Sequence, residues 1–266
     1  MITIQKYIRP QTLEEAYQLN QSKRSRIVAG MLWTRLGTGS VGTAIDLCNL
    51  ALDIIEETDE AFTIGAMVTL RQLEQHPGLN AYTQGAMKNA LQDIVGVQFR
   101  NMATAGGSIW GRYGFSDVLT LFLAMDTYVE LYRGGLIPLE EFARRKADRD
   151  ILVRLIVKKT PGHFVYTAMR NQRTDLPVLT CAMARVGEEY RACLGARPAR
   201  AVRYRDDRGL LADGITAESA AAFAQYLADI APTESNLRGS AQYRTHLIRV
   251  LAERALGELG GMEHGN

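Results

Sequence analysis

The chain of 266 residues is 47% hydrophobic and 23% charged, a balance that suits a globular protein with one large domain or two small ones. Its net charge of +2 comes from 31 basic and 29 acidic residues scattered along the sequence, so it offers no field for nucleic acid or an anionic membrane, and both are set aside as partners. Cys48, Cys181 and Cys193 lack the close spacing that holds zinc or an iron–sulfur cluster, and they read as plain thiols in a reducing compartment. No window approaches the ~18 apolar residues of a membrane helix, and Met1-Ile2-Thr3-Ile4-Gln5-Lys6 does not open a leader, so a cytoplasmic protein without membrane insertion is expected.

In chain order, Thr12-Leu13-Glu14-Glu15 has capping-box spacing and predicts a short helix to about Asn20. Ile27-Val28-Ala29 and Ala44-Ile45-Asp46-Leu47 read as brief buried strands. Ile54-Ile55-Glu56 and Ala61-Phe62-Thr63-Ile64 suggest a hairpin, followed by a second capping box at Thr69-Leu70-Arg71-Gln72. Residues 83–98 read as one helix carrying Met87, Leu91 and Ile94 on one side. The glycine-bearing stretch from Arg100 to Asp117 interrupts the pattern before an apolar helix, Val118 to Met125. Strands are predicted at 128–132 and 151–157, then at 164–169, 179–186 and 190–194, with helices from Ala217 to Ile230 and Ser240 to Leu256. Residues 260–266 read as a frayed tail, and the change of texture past Pro161-Gly162 places a domain boundary near residue 160.

Two segments carry chemistry. Ile27 to Thr34 runs a strand into a glycine turn whose backbone N–H groups suit a phosphate, although one glycine after a strand also marks an ordinary turn and Leu32 and Trp33 suit a core. In Arg100 to Ile109 the pair Gly106-Gly107 permits close backbone approach between the hydroxyls of Thr104 and Ser108. Asp117 can cap the following helix or accept hydrogen bonds from a ribose, and capping is the expectation from the residue alone. No Rossmann fingerprint, phosphate loop or nucleophile–histidine signature appears, and His76 and His163 fall in turns.

Val97-Gln98-Phe99-Arg100-Asn101-Met102-Ala103-Thr104-Ala105-Gly106-Gly107-Ser108-Ile109, followed by Ser116-Asp117, resembles the Arg-Asn-x-Ala-Thr-x-Gly-Gly-Asn-Ile pattern of the FAD-binding subunits of molybdenum hydroxylases, the xanthine dehydrogenase and carbon monoxide dehydrogenase medium-subunit type. Phe62 to Leu70 is similar to that family's Ile-Gly-Ala-x-Thr-Thr-Leu, and Leu237 to Arg244 to its Arg-Gly-Ser-Ala-x-Tyr-Arg. The resemblance spans nearly the whole chain. It implies an α+β protein: a two-lobed FAD-binding domain of the PCMH type over residues 1–160, then a C-terminal domain over 161–266 of a small antiparallel sheet with helices. It implies cofactor contacts at Ala29, Gly30, Met31, Leu32, Trp33 and Thr34, at Thr104, Ala105, Gly106, Gly107 and Ser108, at Asp117 and at Leu152, with Ile94 near the flavin ring. It further implies a hetero-oligomer whose molybdopterin sits on a large subunit and whose 2Fe-2S clusters sit on a small one, with NAD or another acceptor taking the electrons from FAD; no acid–base dyad is expected in this chain.

The first segment departs from the family's Ala-Gly-Gly-Thr-Asp. Met31 replaces a glycine, which at positive φ would be strained by about 1 kcal/mol, and Leu32 lacks a threonine hydroxyl. Trp110 to Phe115 replaces a run of small residues, and Thr167 stands where many relatives have a lysine. A FAD-free scaffold subunit of the same complex, and a free-standing flavin reductase on the same fold, are the alternatives these departures raise.

Overall fold

The computed structural model describes residues 2–261, so residues 262–266 of the expected tail lie outside the described residues. The chain opens with β1 (Ile2–Ile8), α1 (Leu13–Asn20), β2 (Ser25–Val28) and β3 (Gly39–Asp46). The Thr12 hydroxyl accepts the Glu15 N–H at 3.1 Å, as the capping box requires, and starts α1. The strands form a parallel sheet in the order β1-β3-β2, with Ile4 opposite Val41 and Ile27 opposite Ile45. β1 was not read from the sequence because its side chains are mostly exposed and their alternation is weak.

Next come β4 (Ile55–Glu57), β5 (Ala61–Gly65), α2 (Leu70–Gln75), α3 (Pro77–Tyr82), α4 (Ala86–Leu91), α5 (Val97–Arg100), α6 (Ala105–Gly111) and α7 (Asp117–Ala124). At α2 the capping box is reciprocal: Gln72 N–H donates to the Thr69 hydroxyl at 3.2 Å and Thr69 N–H to the Gln72 side-chain carbonyl at 2.8 Å. The single helix expected over residues 83–98 is instead broken. Gln84, Gly85 and Val95 all have positive φ, which interrupts the i to i−4 bonds at both ends of α4. His76, expected in a turn, is the N-cap of α3, its Nδ1 accepting the Leu79 N–H at 3.2 Å.

The chain continues with β6 (Thr127–Leu131), β7 (Gly135–Pro138), α8 (Leu139–Arg144) and β8 (Leu152–Lys158). These strands complete a five-stranded sheet in the order β4-β5-β8-β6-β7. Finally β9 (Gly162–Met169), β10 (Leu179–Val186), β11 (Glu189–Gly195) and β12 (Val202–Arg205) precede α9 (Ala217–Ile230) and α10 (Ala241–Leu259). The last four strands make an antiparallel sheet in the order β12-β11-β10-β9, with Met183 opposite both Ala192 and Val165. β12 escaped the sequence reading because it holds Arg203, Tyr204 and Arg205 and is flanked by Arg200 and Arg208, which leaves no apolar run.

The chain divides into two compact units that are not contiguous in sequence. One takes the chain to Leu73 with Val97–Gly111 and Thr127–Val157; the other takes Glu74–Gly96, Arg112–Asp126 and the chain from Lys158. In the first, Ala16, Ile45, Leu47, Leu52, Ile151 and Val153 share one apolar core. In the second, Leu179, Cys181 and Met183 pack with Phe223, Leu227, Ile248, Leu251 and Leu256 of α9 and α10, and burying each such side chain stabilises by roughly 1.5–3 kcal/mol. Two half-buried arginines of this unit, Arg203 and Arg191, donate to the carbonyl of Met125 at the end of α7 and so complement the helix terminus.

Candidate cofactor site

Three of the segments singled out in the sequence come together in the first unit. Gly30, just past β2, lies against the Met102 carbonyl: a Cβ here would overlap both its oxygen and its carbon, so only glycine fits. Residues 66–70 run beside residues 103–106. Leu70 N–H donates to the Ala103 carbonyl at 2.8 Å, Ala105 N–H to the Val68 carbonyl at 2.8 Å, and Gly106 N–H to the Ala66 carbonyl at 2.9 Å. At Gly106 a Cβ would lie 2.6 Å from the Ala66 oxygen, which accounts for the first glycine of the pair.

The turn after β2 is held by Arg35 N–H donating to the Met31 carbonyl at 2.9 Å and Gly37 N–H to the Thr34 carbonyl at 3.1 Å. Met31 has φ 55°, the left-handed conformation that the family's glycine would adopt without cost, so the strain expected at this position is present. Leu32 is buried, while Ala29, Gly30, Met31, Trp33 and Thr34 are half-buried. Trp33 meets Phe99 edge-on, with ring centroids 6.3 Å apart.

In the second segment Thr104 is buried and organises the first turn of α6. Its hydroxyl accepts the Gly107 N–H at 3.1 Å, and its carbonyl accepts both the Ser108 N–H at 3.0 Å and the Ser108 hydroxyl at 2.9 Å. Each amide from Ala105 to Ser108 thus has a partner within the chain, and Gly107 is the member whose backbone is exposed. The two segments bring turn backbone, the hydroxyls of Thr34, Thr104 and Ser108 and the buried Arg100 into one unit, and neither segment contains an acidic residue. Such a donor set fits a diphosphate ester, which brings its own negative charge. Leu152 also belongs to this unit, buried in β8 opposite Leu131, and the next residue, Val153, accepts the Ala66 N–H at 2.9 Å.

Asp117 belongs to the second unit, and its expected capping role falls to its neighbour. Ser116 is the N-cap of α7, its hydroxyl accepting the Leu119 N–H at 3.0 Å. Asp117 instead turns inward, where its Oδ1 receives the Tyr166 hydroxyl and the Arg170 guanidinium. Burial pushes its carboxyl up to about 6, against the pull of Arg170 and Tyr166 in the opposite direction, and burial beside this acid raises the Tyr166 phenol well above its ordinary value. Tyr166 and Arg170 carried no signal of this in the sequence, since they lie 49 and 53 residues beyond Asp117.

The remaining candidates have structural places. Ile94 lies between α4 and α5 in the second unit. Trp110 closes α6 and packs on Phe142 at 5.8 Å, Arg112 with φ 45° ends that helix, and Tyr113 and Phe115 stack at 5.3 Å. Arg244, from the third motif of the resemblance, is fully buried and donates to the carbonyls of Val178, Glu234 and Gly239 and to the Asn236 side chain, at 2.6–2.9 Å. That motif is therefore a clamp on the turn before α10. Among the described residues no group of His, Cys, Asp and Glu is placed to hold a metal ion, and no helix is long and apolar enough to cross a membrane.

Two small sheets around a backbone cradle, followed by an antiparallel sheet backed by helices, define an FAD-binding subunit of the oxidoreductase class. The chain belongs to the family described as the FAD binding domain in molybdopterin dehydrogenase, which it matches over residues 2–159, and residues 164–259 match the CO dehydrogenase flavoprotein C-terminal domain. It is 27% identical to the uncharacterized protein YgfM of Escherichia coli K12 over 93% of each chain. It is 26% identical to the nicotine 6-hydroxylase medium subunit of Paenarthrobacter nicotinovorans, covering 96% of this chain and 97% of that one. The fold is shared with carbon monoxide dehydrogenase from Hydrogenophaga pseudoflava, in a structure lacking the Mo-pyranopterin moiety of the molybdenum cofactor, with a TM-score of 0.84 and 22% identity over 96% of both chains. FAD, the cofactor expected from the sequence, is the cofactor of this family's domain, and the α+β fold expected with it is the one observed.

Proposed function

We propose that this chain is the electron-transfer subunit of a molybdopterin-dependent hydroxylase. In this reading it assembles with a large subunit that carries molybdopterin and oxidises the substrate, and with a small subunit that carries 2Fe-2S clusters. It receives electrons from those clusters and passes them to NAD or another acceptor in the cytoplasm. The name "medium subunit" borne by a relative matched along nearly its full length supports this reading.

The observation that carries the assignment is the seating of Gly30 on the Met102 carbonyl, which joins the two glycine segments into one cradle. FAD, when bound, supplies reversible electron uptake and release, and the protein supplies binding, orientation and electrostatics. The residues that hold its diphosphate are Ala29, Gly30, Met31, Leu32, Trp33 and Thr34 on one side and Thr104, Ala105, Gly106, Gly107 and Ser108 on the other. Thr34, Thr104 and Ser108 contribute hydroxyls, and Leu152 backs the cradle from β8. The resemblance assigns Asp117 a contact with the cofactor; within its own unit the carboxylate is held by Arg170 and Tyr166. A domain boundary near residue 160 belongs to the same reading, and the break between the two family matches supports it.

An absorbance spectrum of the purified chain tests the reading, with the released cofactor identified by mass. Flavin bands near ~450 nm with FAD released, and copurification with a molybdenum-bearing subunit, are the expected outcome. A colourless protein that takes up no added FAD would leave the scaffold role in its place.

A further inference from the structure

The turn that bears Gly30 also carries apolar side chains, for which a role in holding the diphosphate through backbone gives no account. Trp33 is half-buried and propped edge-on by Phe99. Around this pair, Leu36, Met102 and Val97 are 70%, 50% and 43% exposed. All five belong to two short stretches of the first unit: Leu36 N–H donates to the Trp33 carbonyl at 3.1 Å, and Met102 N–H to the Phe99 carbonyl at 3.1 Å. Met102 is also the residue whose carbonyl Gly30 touches, so both apolar stretches adjoin the cradle through their backbone. Large apolar side chains left at a surface beside a polar anchor mark a place where a flat apolar group binds.

We propose that Trp33, held at its angle by Phe99, forms the wall against which an aromatic ring of the bound FAD stacks, and that this contact compensates for the hydroxyl lost at Leu32. The inference rests on the cradle reading above. It commits these side chains to the cofactor because they adjoin the turn that would seat the diphosphate, and each ring of FAD is joined to that diphosphate through one sugar unit. The adenine and the isoalloxazine are both flat π-systems, and the chemistry recognised is common to both. Tryptophan suits the role because stacking of a base on an aromatic side chain needs no hydrogen bond and tolerates any flat ring.

The test compares Trp33→Ala and Trp33→Phe with the unaltered chain, after removal of cofactor, by titration with FAD and separately with ADP and FMN. Trp33→Ala is expected to weaken FAD binding about tenfold or more, and Trp33→Phe to restore most of it. A weakening that also appears with ADP assigns the wall to the adenine; one that appears with FMN assigns it to the isoalloxazine. Melting of the cofactor-free variants separates binding from packing, because a residue that merely fills space on Phe99 would lower the melting temperature while leaving FAD affinity intact. If the unaltered chain binds FAD and Trp33→Ala binds it equally well, the wall does not exist. If the unaltered chain itself binds no FAD, the cradle reading falls first.

Discussion

The two units solve the same problem, how to fix a polar group precisely, by opposite means. The cradle of the first unit is built from backbone: carbonyls of Ala66, Val68, Met102 and Ala103 meet amides and glycines, and side chains contribute little more than hydroxyls. The polar groups of the second unit are fixed by side chains, with Asp117, Tyr166 and Arg170 joined in a buried network and Arg244 separately clamping the carbonyls of Val178 and Gly239. A backbone site is insensitive to charge but intolerant of added volume. A side-chain site is the reverse.

Volume should therefore break the first unit most severely. Gly30→Ala places a methyl on the Met102 carbonyl, which has no rotamer to yield, and is expected to cost about 4 kcal/mol and to abolish FAD retention, read by urea denaturation and by the flavin spectrum. In the second unit the lever is pH. Because the Asp117 carboxyl is raised from 3.8 to about 6, the folded form holds its proton more tightly than the unfolded form, so its contribution to stability is full below about pH 4 and is lost as pH rises through 6. Asp117→Asn keeps the shape and removes the titration, so its stability relative to the unaltered protein should improve by about 2 kcal/mol between pH 4 and pH 7 in paired denaturant melts. The smallest effect belongs to the first turn. Met31→Gly relieves a left-handed residue and should stabilise by about 1 kcal/mol, with tighter FAD binding, measured by thermal melting and titration.

The same contrast explains what could be read from the sequence. Features made by neighbours in the chain were legible: the boxes at Thr12–Glu15 and Thr69–Gln72, the glycine turn at Gly30, the pair Gly106-Gly107, and strands β6, β8, β9 and β10 with their clear apolar runs. The strain at Met31 followed from comparing one residue with a family pattern. What escaped depended on distant partners. Asp117 looked like a cap because Ser116 and Asp117 are both good caps, and only the approach of Arg170 and Tyr166 decides which of them turns inward. The helix over 83–98 looked continuous because Gln84 and Val95 give no warning of positive φ, and tertiary packing of Met87 and Leu91 overrode the periodicity.

The interleaving of the two units also bears on how the chain is made. Residues 74–96 and 112–126 emerge from the ribosome early, yet they complete their unit with strands and helices that come after Lys158. At about 5–20 residues per second of synthesis, α4 waits several seconds for β9, and α7 for β10, β11 and β12, with Leu119, Phe122 and Met87 still uncovered. The apolar helix over 117–124 is thus the segment a chaperone has most reason to hold, and the nascent chain is most prone to aggregation during that interval.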